Sequence, residues 1–253
     1  MDVEVQWIWA WLSLAAFGGG MLNAVAGGGS FLTFPALLLA GLPPSAANAT
    51  GTTALLPGYV LGAWVQRHEV IQPGRLGATG VFAVAALGGA LGAALLVWTG
   101  DIVFAKVVPW LMLFATIALW QGMRISQFLQ RRNMAGPDFA ARAGLLIVSI
   151  YGGYFNGGVG IVLLALFSAF GHKSMSGMNG AKNLASAALT VVAIVVYTSA
   201  GLVYWPAALG MMLAAALGGW AGARIGQHIS PVLMRNFVVV VGFCLTVVFF
   251  VRM

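Results

Sequence analysis

Lys182 is the residue with the most chemistry to do. It lies inside a long apolar run, where an ammonium is costly unless it is paired or hydrated. No acid is placed to pair with it, because Asp2, Glu4, Glu69, Asp101 and Asp138 all stand at the edges of apolar segments or between them. A natural partner for such a cation is an anion brought from outside. Asn179 and Asn183 fall within one helical turn of Lys182. Asn48, Thr50, Thr52 and Thr53 occupy the corresponding stretch of the first half and can donate hydrogen bonds to oxyanion oxygens. The competing reading is that Lys182 snorkels to an interface along its apolar stem.

Two glycine clusters supply a second kind of anion chemistry. Gly27-Gly28-Gly29 follows Asn23, and Gly157-Gly158-Val159-Gly160 follows Asn156. Ser30, directly after the first cluster, reads as the N-cap of a half-helix. Such an end presents unpaired N–H groups and the positive pole of the helix dipole. Paired half-helix N-termini near the bilayer midplane form the site expected of an inverted-repeat transporter. The candidate binding set is therefore Asn23, Gly27, Gly28, Gly29, Ser30, Thr50, Thr52, Thr53, Asn156, Gly157, Gly158, Asn179, Lys182 and Asn183. Asn23 and Asn156 are equally suited to satisfying broken backbone. Gly88-Gly89 and Gly218-Gly219, in mid-span, read instead as close helix packing.

Other chemistries are poorly supplied. The missing acids argue against a carboxylate relay. His172 is the one titrating group near the pathway, and it reads as interfacial, like His68 and His228. No histidine faces Ser30 from mid-span, as a serine protease requires. No cluster of His, Cys or acids suggests a metal. The expectation is no enzyme, no metal and no cofactor. Cys244 stands alone and reads as a buried packing residue.

The elements that must position these residues are membrane helices. Hydrophobic residues make up 61% of the 253 and charged residues only 7%, too few for the surface of a soluble protein. Charge is absent from Val5 to Gln66, from Leu76 to Gly100 and from Asn183 to Ala223. A bilayer span needs about 20 apolar residues, and the runs lack the period-two alternation of a β-barrel. The class is an all-α polytopic membrane protein. The net charge of +7 sits between apolar runs, which suits a cytoplasmic bias and no nucleic acid.

Glycine, proline and charge divide the chain into segments near Trp7–Ala26, Ser30–Ala40, Ser45–Gln66, Gly74–Trp98 and Ile102–Met123. After a polar connector come Phe139–Asn156, Ile161–Gly171, Ser174–Ser199, Tyr204–Gln227 and Pro231–Val251. The halves echo each other: Gly19-Gly20-Met21-Leu22-Asn23 with Gly152-Gly153-Tyr154-Phe155-Asn156, and Gly88-Gly89-Ala90-Leu91-Gly92-Ala93 with Gly218-Gly219-Trp220-Ala221-Gly222-Ala223. The expectation is a repeat at residues 1–123, a cytoplasmic connector at 124–138 and a second repeat at 139–253. Each repeat has a glycine-broken helix pair plus three transmembrane helices. The broken pairs either cross as one long helix or return to the side they entered. If they return, nine of the twelve Lys and Arg fall inside, with only Lys106 and Arg252 outside and Lys182 in the membrane. That split is the better one, and it makes the repeats inverted, with both termini external.

The stretch Gly27-Gly28-Gly29-Ser30-Phe31-Leu32-Thr33-Phe34-Pro35-Ala36-Leu37-Leu38-Leu39, followed by Gly41-Leu42-Pro43-Pro44 and Ala47–Thr53, resembles the opening signature of the sulfite-exporter (TauE/SafE) permeases. Gly157 to Gly171 with Asn179–Asn183 resembles that family's looser second copy, without the triple glycine or the following proline. The resemblance implies a multi-pass permease of the bacterial inner membrane for small sulfur-containing anions, sulfite or an organosulfonate. Export by alternating access is the expected mode; a passive anion channel and a carrier of another small organic anion are the alternatives. The expected partners are a small anionic substrate and the lipid bilayer, and a homodimer is allowed.

Overall fold

A computed structural model describes residues 3–25, 27–68, 76–131, 138–170, 174–225 and 231–251. Nearly all of these are helical, in nine helices: α1 (Val3–Val25), α2 (Ser30–Leu39), α3 (Pro44–Val65), α4 (Ala78–Arg131), α5 (Asp138–Tyr154), α6 (Val159–Ala169), α7 (Met175–Ser199), α8 (Trp205–Ile225) and α9 (Pro231–Val251). The boundaries fall where backbone physics puts them. Pro44 opens α3 at a position whose N–H has no helical acceptor anyway. Gly100, at φ 67° and ψ 180°, divides α4 into two arms, a conformation a side chain would resist. The second arm continues to Arg131, so the expected connector begins as helix.

Helix pairing is exchanged between the halves. α1 packs on α8, and α5 packs on the first arm of α4, while α3 and α7 lie against each other. Glycine makes these approaches close. A Cβ at Gly20 would strike the Ala215 backbone, one at Gly218 the Phe17 carbonyl, and one at Gly222 the Met21 backbone. In the other pair, a Cβ at Gly88 would meet Ser149 and Leu146, and one at Gly92 the Ile150 carbonyl. Gly88, Gly89 and Gly218 thus pack as expected. Gly219 does not, since no atom comes nearer than 3.8 Å to its Cβ position.

The outside is apolar: Trp98 is 83% exposed, Leu213 72% and Ile147 66%. Water would penalise such a surface and lipid would not. The helical stretches 78–118 and 177–199 are long and apolar enough to cross a bilayer. Cys244 faces outward too, against the expectation of burial; a thiol is apolar enough to sit at such a surface. Trp64 and Trp220 are exposed, with the guanidinium groups of Arg67 and Arg224 over their rings at 4.6 and 4.4 Å.

Polar contacts tie one end of the bundle together. The N–H and hydroxyl of Ser45 both donate to Asp101 Oδ1, at 2.9 and 2.6 Å. The Tyr204 N–H donates to Thr50 Oγ1 at 3.0 Å. Arg67 and Arg224 stand at the opposite ends of α3 and α8.

Candidate functional site

Both helix breaks form where the glycines are. α2 is capped by Gly29 and α6 by Gly158, the latter left-handed at φ 72°, and neither cap makes a side-chain hydrogen bond. Two half-helix N-termini therefore carry their positive poles without a capping oxygen. Ser30 is not the cap that the sequence suggests. It is the first helical residue, and its hydroxyl donates across the breaks to the Asn156 carbonyl at 3.3 Å.

The breaks are in contact with each other. A Cβ at Gly27 would lie 3.0 Å from Gly160 Cα, and one at Gly160 would lie 2.9 Å from Gly27 Cα. Only glycine at both positions allows this approach. Around the second break, side chains collect the carbonyls that α5 releases at its end. Asn48 Nδ2 donates to the Tyr154 carbonyl at 3.1 Å, the Tyr151 hydroxyl to that of Gly157, and the Tyr197 hydroxyl to that of Gly153. The Tyr59 hydroxyl donates to Asn156 Oδ1 at 3.4 Å. Asn156 Nδ2 and Asn23 Oδ1 are buried without a hydrogen-bond partner.

Lys182 is fully buried. Its stem runs beside Gly160, where an added Cβ would lie 3.3 Å from Lys182 Cδ. Its ammonium donates to the Asn23 carbonyl at 3.5 Å, a neutral and distant acceptor. It does not snorkel to an interface. Among the described residues no salt bridge reaches it, and no group of acids, histidines or cysteines could hold a metal.

The structure thus gathers Asn23, Gly27, Gly29, Ser30, Asn156, Gly157, Gly158 and Lys182 at one place. Gly28 is buried in the same turn, its carbonyl accepting from the Phe31 N–H at 3.1 Å. The hydroxyls of α3 do not join them as expected. Thr50 is engaged by Tyr204 at the far end of the bundle, and Thr53 donates to the Ala49 carbonyl of its own helix at 2.7 Å. Thr52 is buried in α3. Asn179 carries a buried, unpartnered Oδ1. Asn183 Nδ2 donates to Gln66 Oε1 at 3.2 Å. His172 and His228 lie outside the described residues.

Beside this place is a cavity of about 230 Å³ between α1, α3, α7 and α8. Asn23, Gln66, Asn183 and Trp220 are in its wall, so it comes within one residue of the Lys182 ammonium. Gln66, Tyr59, Tyr197 and Trp220 are absent from the sequence-derived set. A tyrosine in mid-run was the one available signal for Tyr59 and Tyr197, since a hydroxyl in hydrocarbon needs a partner.

A family model described as Sulfite exporter TauE/SafE matches residues 12–249. The chain belongs to that family. It is 28% identical to a probable membrane transporter protein of Haemophilus influenzae, covering 97% of this chain and 95% of that one. It is 27% identical to the probable membrane transporter protein ORF9 of a Sinorhizobium species, over 94% and 90%. It is 26% identical to the probable membrane transporter protein YfcA of Escherichia coli K12, over 91% and 85%. No solved structure matches the chain. Membership agrees with the signature at Gly27–Leu39 and with the apolar outer surface, and the chain is a membrane protein of this family.

Proposed function

We propose that the chain is a multi-pass carrier of the bacterial inner membrane that exports a small sulfur-containing anion, sulfite or an organosulfonate, by alternating access around the two breaks. The observation behind this reading is the setting of Lys182: a buried ammonium with a neutral acceptor, beside two helix N-termini that no side chain caps. Positive potential is concentrated there without an acid, so an anion has a net electrostatic gain on arrival. The oxygens of a sulfite or sulfonate suit Lys182, the unpartnered Asn156 Nδ2 and backbone N–H groups together.

The inverted arrangement of repeats at 1–123 and 139–253, joined at 124–138, is part of this reading. The exchanged pairing of α1 with α8 and of α5 with α4 supports it. So does the difference between the two equivalent sides. Gly20 lines the cavity, whereas Gly153, its counterpart in the echoed motif, is tied to Tyr197. One side open and the other closed is the condition of a carrier. The cavity reaches the end marked by Arg67 and Arg224, which the positive-inside bias assigns to the cytoplasm, the loading side of an exporter. Contact between Gly27 and Gly160 speaks against a standing pore.

Flux of sulfite, a sulfonate and a carboxylate in proteoliposomes tests the reading. A carrier gives saturable flux and counterflow, with the sulfur anions preferred. Linear flux without counterflow would make it a channel. Inserted protein that moves none of the three would remove the proposal.

A further inference from the structure

The cavity beside Asn23 is larger and more apolar than a bare oxyanion needs. At roughly 30 Å³ for each water-sized group, 230 Å³ accommodates several groups beyond an anionic head. Its wall mixes two chemistries. Asn23, whose carbonyl accepts from Lys182, is joined by the amides of Gln66 and Asn183, while Leu61, Val65 and Trp220 supply apolar surface. The Asn183–Gln66 hydrogen bond leaves the Gln66 amide N–H groups and the Asn183 carbonyl for a ligand.

Glycine usage points the same way. Gly218 and Gly222 on α8 are jammed against α1, so helix packing accounts for them. Gly219 and Gly58 are not: their Cβ positions have no neighbour nearer than 3.8 and 4.0 Å. Both line the cavity, and the lack of a side chain there keeps space rather than closeness. Charge restricts the occupant further. The guanidinium of Arg224 lies over Trp220, Lys182 stands behind Asn23, and the lining residues include no acid.

We propose that this cavity seats the apolar body of an organic anion whose charged head points to Asn23 and Lys182, so that the substrate is an alkyl or aryl anion with a tail rather than a bare oxyanion. The inference rests on Lys182 being the anion's partner. Each methylene buried in the cavity then raises affinity about fourfold.

Binding to the purified full chain tests this with methanesulfonate, butanesulfonate and the neutral butanesulfonamide. Butanesulfonate binds at least about tenfold tighter than methanesulfonate, and the sulfonamide is at least about tenfold weaker than butanesulfonate. Gly219→Val, which projects into the cavity, brings the ratio of the two sulfonates close to one. Gly219→Ala gives an intermediate ratio and covers the case in which the valine variant does not fold. Equal affinities for the two sulfonates overturn the inference, and so does a sulfonamide as tight as the anion, which would mark a crevice for any apolar body. Lys182→Met separates the two readings. If it weakens both sulfonates while their ratio is one, only the cavity inference fails. If the ratio is large but Lys182→Met changes neither affinity, the anion role of Lys182 is what fails.

Discussion

The ammonium of Lys182 reaches the backbone carbonyl of Asn23 at 3.5 Å, linking α7 of the second half to the last turn of α1 in the first. That carbonyl also accepts from the Gly27 N–H at 3.2 Å, so the lysine shares a neutral oxygen already in use. A buried charge so weakly compensated costs stability in the empty protein. On the proposed reading, an anionic substrate supplies the missing counter-charge.

Lys182→Met keeps the stem beside Gly160 and deletes the charge. Sulfonate affinity is expected to fall at least about tenfold, or about 1.4 kcal/mol, while the melting temperature of the substrate-free protein holds or rises. Lys182→Arg retains partial binding, because the charge stays but the donor geometry changes. Titration calorimetry and thermal unfolding read both. Unchanged affinity, or a lower melting temperature in the methionine variant, would make the lysine structural.

Neighbouring glycines on α8 are expected to respond in opposite ways. Gly218→Ala drives a methyl into the Phe17 carbonyl and forces α1 and α8 apart, costing about 1–3 kcal/mol as overpacking does. Gly219→Ala meets nothing closer than 3.8 Å and leaves unfolding within about 0.5 kcal/mol. Thermal unfolding of the two variants side by side decides it; equal losses would mean the helices are not packed as described.

Much of this architecture was legible in residue order alone. The broken pairs, the echoed glycines and the odd lysine are chemical exceptions in an otherwise apolar chain, and exceptions are what a sequence displays. Pairing between distant elements was not legible. Thr50 looked like a ligand because hydroxyls suit oxyanions, but its partner is the Tyr204 N–H, brought close only by the fold. Ser30 had the sequence position of a cap, yet Gly29 takes that role and the serine bridges to Asn156. The cavity was invisible for the same reason. Gly218 and Gly219 are alike in sequence, and only packing tells that one closes a gap and the other keeps one.

Orientation has a direct test. In a Cys244→Ser background, needed because the native thiol is exposed, single cysteines at Pro43 and Ala200 are expected to react with an impermeant maleimide added outside intact cells. Cysteines at Arg67 and Arg224 are expected to react only after the cells are opened. The Ser45–Asp101 and Thr50–Tyr204 contacts hold the first pair at one end of the bundle. The positive-inside bias is the reason for expecting the other end to be cytoplasmic. Outside labelling at Arg67 would refute this orientation.

On the alternating-access reading, Tyr197 is expected to hold the closed side shut. α5 ends at Tyr154, so the Gly153 carbonyl has no acceptor role within its own helix and is one of the orphan groups of a helix C-terminus. The fully buried Tyr197 hydroxyl donates to it from α7. Tyr197→Phe keeps the ring and removes that donor, leaving a buried carbonyl unpaired at a cost of about 1–3 kcal/mol. The cost applies only while α5 and α7 are closed on each other, because opening lets water reach the carbonyl. The substitution therefore shifts the balance toward the open form, by about tenfold for each 1.4 kcal/mol. Amide hydrogen exchange in the 152–158 segment is expected to accelerate, and a cysteine at Gly157 to become more reactive. Tyr204→Phe, half exposed at the helix end, serves as the control and leaves both unchanged. If exchange at 152–158 is the same in Tyr197→Phe as in the parent, the hydroxyl does not hold this side shut.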